Sequence, residues 1–254
     1  MLSALDRVEF ARSIDFEPDP WQRDLLQSEH PRVLLNCSRQ SGKSSTAAIL
    51  ALHQALTYPE SLVLALAPAL RQSQELFQKI GDYYSDLGMP MRHYGERRLS
   101  LELTNGSRII TLPGSEKTVR GFSGASLLIL DEASRIEDEL YFAIRPMLAV
   151  SGGRLMMLST PFGKRGVFYE AWMSGRDWER YKVPASMCPR ITEEFLEEER
   201  IALGDYFYRQ EYLCSFEDLP DVFMTEEEVE NMITDKYKPL QMPPMKLPPP
   251  REVA

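Results

Sequence analysis

Short, nearly unbroken apolar runs recur along this chain, at residues 32–38, 62–67, 126–130, 154–158 and 181–183. Runs of this length without polar alternation read as strands buried on both faces. Between them lie helix-like segments. Residues 44–57 are rich in alanine and leucine, and residues 70–87 keep a helical period until Gly88 and Pro90 end it. Strands alternating with helices predict an α/β fold with a doubly wound, mostly parallel sheet. Residues 99–104 and 107–112 flank Asn105-Gly106, the strongest short hairpin signal, so a β-hairpin insertion is expected in that pattern.

The ends of the chain read differently. Asp19-Pro20-Trp21 is a helix start, with Asp as cap and Pro at the first helical position. From Thr192 the pattern becomes helical, over 192–203 and 205–214. Residues 225–233 begin Thr-Glu-Glu-Glu, a capping-box pattern. Prolines crowd residues 239–254, as in a linker or tail rather than a packed element. The expected organisation is a lead-in over 1–30, a core over 31–190, a small helical C-terminal subdomain over 191–235 and a proline-rich tail over 236–254.

Composition narrows the class only a little. The 254 residues are 43% hydrophobic and 26% charged, ordinary for a globular protein. No apolar run is long enough to span a bilayer, and the N-terminal segment has acids where an export signal would be apolar. A cytoplasmic protein with no membrane partner is expected. The three cysteines form no CxxC pair and the three histidines have no metal-ligand spacing. The net charge of −9 argues against wrapping nucleic acid by bulk electrostatics. A local basic stretch remains, with Arg92, Arg97, Arg98, Arg108, Lys117 and Arg120 close in sequence.

Two segments carry chemistry. Residues 33–45 run from an apolar strand into Ser38-Arg39-Gln40-Ser41-Gly42-Lys43-Ser44-Ser45, a phosphate-binding loop opening a helix. Gly42 permits close backbone approach, Lys43 reaches the β- and γ-phosphates, and the Ser44 hydroxyl serves Mg²⁺. Cys37 stands where the usual pattern has its first glycine. Farther on, Leu127–Asp131 is an apolar strand that ends in Asp131-Glu132. Asp131 can reach the metal shell and Glu132 can polarise the attacking water. The sequence-adjacent strand over 62–67 and the catalytic glutamate together suggest the additional-strand class of P-loop NTPases. ATP and Mg²⁺ are the implied nucleotide and ion.

Other residues are placed around that centre. Arg39, inside the loop, can stabilise charge on the γ-phosphate in the transition state. Gln22, one short helix upstream, can offer donor and acceptor together to an adenine edge. Ser159-Thr160-Pro161 ends the following strand, where hydroxyls could sense the γ-phosphate and relay its loss. Lys164 and Arg165 could meet phosphates of nucleotide or DNA.

These residues, in this order, resemble the ATPase domain of the large terminase subunit, the packaging motor of tailed phages. The resemblance is carried by Trp21-Gln22, residues 38–44, Arg120-Gly121, residues 127–133, Ser159-Thr160-Pro161-Phe162-Gly163 and residues 208–217. It covers about residues 15–233. It implies ATP hydrolysis coupled to translocation of double-stranded DNA by a homo-oligomeric ring at a capsid portal, with a small terminase subunit as partner, in the host cytoplasm. It implies an arginine supplied in trans, for which Arg120 and Arg98 are the candidates. The family normally carries a C-terminal nuclease with clustered acids. Glu197-Glu198-Glu199 and Glu226-Glu227-Glu228 are consecutive on predicted helices and point different ways, so DNA cutting by this chain is not expected. Two other readings share some motifs: a helicase or remodelling ATPase, and a non-hydrolysing nucleotide-binding assembly module.

Overall fold

The computed structural model describes residues 6–89, 93–97, 99–114, 119, 121–174 and 177–218. The chain divides into two units, Met1–Glu217 and Asp218–Ala254, and every element named here belongs to the first. Among the described residues the strands are β1 (Arg32–Cys37), β2 (Leu62–Ala67), β3 (His93–Arg97), β4 (Ser100–Leu103), β5 (Arg108–Pro113), β6 (Leu127–Asp131), β7 (Arg154–Ser159) and β8 (Glu179–Val183). The helices are α1 (Arg7–Arg12), α2 (Pro20–Gln27), α3 (Lys43–Thr57), α4 (Leu70–Asp86), α5 (Asp138–Ile144), α6 (Gly166–Met173) and α7 (Glu193–Leu213). The expected helix over 225–233 and the proline-rich tail lie outside the described residues.

One sheet holds all the strands, in the order β3-β4-β5-β2-β6-β7-β1-β8. From β5 to β8 every neighbouring pair is parallel. The β3–β4 and β4–β5 pairs are antiparallel. The expected hairpin is therefore β4–β5, turned at Gly106 with φ 84°. It is no appendage, because β5 joins the parallel part with Leu64 opposite Ile110. Strand β3 was not expected: an edge strand need not bury two faces, so its sequence shows no apolar run.

Why the core strands are apolar throughout is visible in how their side chains divide. In β1, Val33, Leu35 and Cys37 join one buried cluster with Val63, Ala65, Ile129, Met156 and Leu158, under α1, α2, α3 and α4. Leu34 joins the other, with Leu64, Leu66, Leu128, Leu130 and Met157, under α5 and α6. Successive residues point to opposite faces, so a strand covered on both sides needs apolar residues at every position. Helix α3 lies close on its face through Ala47, Ala48, Ala51 and Ala55, all buried. Helices α5 and α6 escaped the sequence reading. The first is short, and the second, GVFYEAWM, is apolar around most of its circumference and shows little period. Helix α7 is broken at Gly204, φ 73° and ψ 164°, into the two helical stretches that the sequence indicates. No helix among the described residues is long and apolar enough to cross a membrane.

The start of β7 is set by a close approach. A Cβ on Gly153 would lie 2.0 Å from the Ala125 carbonyl oxygen and 2.9 Å from that of Ser126. The next residue donates its backbone N–H to Ser126 O at 3.0 Å, so the two segments cannot part freely. Gly153→Ala is expected to destabilise the protein by about 2–3 kcal/mol through overpacking, read as a lowered midpoint of thermal or denaturant unfolding. A midpoint equal to wild type would show that the contact relaxes without loss.

Candidate active site

Strand β1 delivers the chain to residues 38–42, and α3 begins at Lys43. Gly42 caps the helix at φ 90°, in the left-handed region that favours glycine. A Cβ there would also sit 2.7 Å from Gln22 Nε2, the end of a side chain that would have to move. Cys37, at the usual first-glycine position, is fully buried in the helix-covered core. Burial pushes its thiol well above the usual range, as expected of a packing residue. The first N–H groups of α3 have no intrahelical acceptors and carry the positive end of the helix dipole.

Strand β6 ends at Asp131, and Glu132 follows in the left-handed region at φ 50° and ψ 45°. A non-glycine residue held there stores strain, which the surroundings must offset. The result is that the two acids point to different jobs. Asp131 Oδ2 accepts from Ser44 Oγ at 3.1 Å, and Oδ1 accepts from the backbone N–H of Glu132 at 3.0 Å. Glu132 Oε1 lies 3.3 Å from Lys43 Nζ, which also donates to Thr160 Oγ1 at 3.4 Å. The loop and the acid pair therefore face each other at the carboxyl ends of the strands. The strand that separates them in space is β7, between β1 and β6, whereas β2 (the 62–67 strand expected to be the added one) lies beyond β6.

The charges are mutually dependent. Burial works against the Lys43 ammonium, but Glu132 and Asp131 outweigh it and its pKa rises. Burial first, and then Glu132, push Asp131 up to about 6 against the pull of Lys43 and Ser44. One carboxylate and one hydroxyl 3.1 Å apart, both hard oxygen donors, suit a small divalent cation that takes its other ligands from water and phosphate. These two residues fit Mg²⁺.

A cavity of about 590 Å³ opens over this centre, lined by Arg39, Gln40, Lys43, Gln72, Glu132, Arg135, Thr160 and Glu211. Gln40, at φ 55°, turns the loop along its rim. Arg39 does not reach across toward Lys43. Its Nε donates to Glu211 Oε2 at 2.5 Å, which raises its pKa, and its backbone N–H donates to Glu211 O at 3.2 Å. Asn36 Nδ2 donates to Cys214 O at 3.0 Å, so the end of α7 is tied to both β1 and the loop.

The other expected site residues lie at different depths around this centre. Gln22 is buried at 1% exposure under Gly42. Its Oε1 accepts from the Asp19 backbone N–H at 2.8 Å, leaving only Nε2 without a partner. The side chains of Ser38 and Ser41 are buried too, and the Ser38 N–H is taken by Val183 O at 2.9 Å. Ser45 follows Ser44 in the first turn of α3, half-buried. Ser159, Thr160 and Pro161 come together with the acid strand: Ser134 Oγ donates to Thr160 O at 2.8 Å and lies 2.6 Å from Ser159 Oγ. Arg98 and Arg120, the candidates for a trans arginine, lie outside the described residues.

The sequence reading missed Glu211, Arg135, Gln72, Ser134 and Arg190. Arg190 grips Asp19 with both Nη atoms, at 3.0 and 2.6 Å, and reaches Ser41 O at 3.5 Å, bracing the loop from behind. For some the signal was proximity to the motifs: Ser134 and Arg135 follow the acid pair after one alanine. Glu211 lies within residues 208–217, already singled out as a block.

The family model described as terminase large subunit, T4likevirus-type, N-terminal, matches residues 34–230. The large terminase subunit of Thermus phage G20c is 27% identical, over 82% of this chain and 50% of that protein. The ATPase domain of the Thermus phage P74-26 large terminase superposes with a TM-score of 0.73 at 24% identity, covering 82% of this chain and 98% of that domain. The HK97 bacteriophage large terminase gives 0.68 at 16% identity, covering 83% and 55%. The large terminase of the thermophilic bacteriophage D6E, solved in complex with ADP, gives 0.67 at 13% identity, covering 78% and 54%. The chain spans about half the length of the curated relatives it matches. A family match over most of the chain, on a sheet that sets the phosphate loop against Asp131 and Glu132, shows that this protein belongs to the terminase large subunit family, over its N-terminal part.

Proposed function

We propose that this chain hydrolyses ATP and that the hydrolysis drives double-stranded DNA into a viral capsid. The observation that carries the chemistry is the facing pair of contacts, Ser44 to Asp131 at 3.1 Å and Lys43 to Glu132 at 3.3 Å. They support reading Lys43 and Ser44 as a phosphate-binding corner and Glu132 as the water-activating carboxylate on one cavity. The DNA-packaging role rests on family membership.

Each residue has a derivable part. The N–H groups opening α3 and the Lys43 ammonium receive the β- and γ-phosphates, and Lys43 gives up Glu132 to do so. The freed Glu132 carboxylate accepts a proton from water as its oxygen bonds to the γ-phosphorus. The bond from that phosphorus to the β–γ bridging oxygen breaks, leaving ADP and inorganic phosphate. Mg²⁺, held by Ser44 and Asp131, would neutralise phosphate charge. Thr160, within reach of Lys43 and bonded through its carbonyl to Ser134, links the cavity to the strand ends on both sides.

Arg39 exchanges partners in this scheme. Leaving Glu211 for phosphate adds little net binding, because one charge-assisted bond replaces another. Charge that develops in the transition state is an additional gain. Arg39→Ala is therefore expected to lower kcat by about a hundredfold, as loss of a transition-state donor does. KM should stay within about threefold of wild type. Parallel losses in binding and turnover would make Arg39 an affinity residue only.

The packaging role adds a capsid portal, a small terminase subunit and a ring of copies of this chain as partners, acting in the host cytoplasm. Its test is ATP turnover measured with and without double-stranded DNA and portal-bearing capsids. Stimulation by both together is expected. Turnover indifferent to both would leave an ATPase without the motor role.

A further inference from the structure

Arg135 closes the short 3-10 turn Ala133–Arg135 directly after Glu132, and its side chain lines the same cavity as Lys43, Glu132 and Thr160. The other two cations of that cavity are engaged, Lys43 with Glu132 and Arg39 with Glu211. Arg135 forms no ion pair with a described carboxylate. Its guanidinium carbon instead sits over the Phe162 ring, 4.0 Å from the centroid. Arg165 approaches the same ring at 5.3 Å. An exposed arginine normally samples many rotamers, but one resting on an aromatic face is held in place. The neighbouring Ser134 is bonded to Ser159 and Thr160, so the turn that carries Arg135 is itself anchored to the end of β7.

We propose that Arg135 takes the terminal phosphate of the bound nucleotide, and that loss of this phosphate is passed through Phe162 to the loop between Thr160 and Arg165. The inference rests on the ATPase reading above and adds a residue to it. Lys43, Thr160 and Glu132 mark where the γ-phosphate lies, since the loop lysine reaches the β- and γ-phosphates and the carboxylate must reach the attacking water. Arg135 is the positioned cation at that end with charge to spare. Its planar fork suits two phosphate oxygens. When the phosphate leaves, the guanidinium returns to Phe162, one residue beyond Pro161, and the loop that leads into α6 feels the difference.

The test compares two ligands on the full chain in the presence of Mg²⁺: ADP and a non-hydrolysable ATP analogue, each by equilibrium titration. Arg135→Ala is expected to weaken the analogue about tenfold, the loss of one charge-assisted phosphate contact, while ADP changes less than about twofold. Arg135→Lys should recover part of the loss, because it keeps the charge but not the fork. Phe162→Leu, which removes the ring face that holds the unliganded guanidinium, should leave analogue affinity equal to wild type or tighter, because the contact it removes belongs to the state without phosphate. A purely structural Arg135 would lower both ligands equally; that result, or no change in either, overturns the proposal. If Arg135→Ala does not fold, Arg135→Gln carries the same comparison at nearly the same volume. Failure of the wild-type chain to bind either ligand overturns the ATPase reading itself and this inference with it. Normal wild-type binding with unselective Arg135 variants overturns this inference alone.

Discussion

Replacing Glu132 by glutamine is expected to lower ATP turnover by about a thousandfold, within the range that a positioned general base supplies, while ATP still binds. The two side chains have the same shape, and both must sit at φ 50° and ψ 45°, so the backbone strain is common to wild type and variant. What changes is that an amide cannot accept the proton of the attacking water. Binding should hold or tighten, because Glu132 pairs with Lys43 at 3.3 Å and competes with phosphate for it. The prediction is thus a split: kcat falls steeply while nucleotide affinity is at least that of wild type. Single-turnover hydrolysis and equilibrium titration on the same preparation check it. Turnover within threefold of wild type would mean that another group activates the water.

Lys43→Ala is expected to weaken ATP binding by at least about a hundredfold, a loss of roughly 2.7 kcal/mol typical of a charge-assisted phosphate contact in a partly dry site. Lys43 is 8% exposed and fixed between Glu132 and Thr160, so its ammonium is already where the phosphates must arrive. Alanine keeps the helix N-terminus but removes the one full charge on it. The fold should survive. Glu132 faces the open cavity and water can take over from the lost ammonium, so the melting temperature is expected to move by only about 3 °C or less. Near-normal ATP affinity in this variant would show that the loop at 38–44 is not the phosphate site. A collapse of the melting temperature would show that the ion pair is structural.

Much of the site was legible from one dimension because its parts are contiguous. Gly42, Lys43 and Ser44 are consecutive, and so are Asp131 and Glu132, and each short run carries its own chemistry. The strands that present them were legible because burial on both faces leaves an unmistakable apolar run. Arg39 is a mixed case. Its place in the loop was readable, but its partner Glu211 lies on α7, a contact no local pattern encodes. Gln22 is a second mixed case. Its position before the loop suggested base recognition, and the fold adds what the sequence does not show: it lies beneath Gly42, its carbonyl accepts from the Asp19 N–H and its Nε2 has no partner. The additional strand was assigned to residues 62–67 because they come next along the chain. The sheet inserts β7 there instead, and nothing in the apolar pattern of either strand distinguishes the two.

The amino-acid sequence by itself determined which residues can do chemistry here, because phosphate binding and water activation each need particular side chains within a few bonds of a strand end. It also determined that the sheet is mostly parallel and covered on both faces, because hydrophobic burial acts on every residue of such strands. Only the tertiary structure decided the strand order that brings β1, β7 and β6 side by side, the parking of Arg39 on Glu211 and the seating of Arg135 on Phe162. Those outcomes depend on contacts between residues far apart in the chain. They are settled by packing and charge pairing in three dimensions, which leave no periodic trace along the backbone.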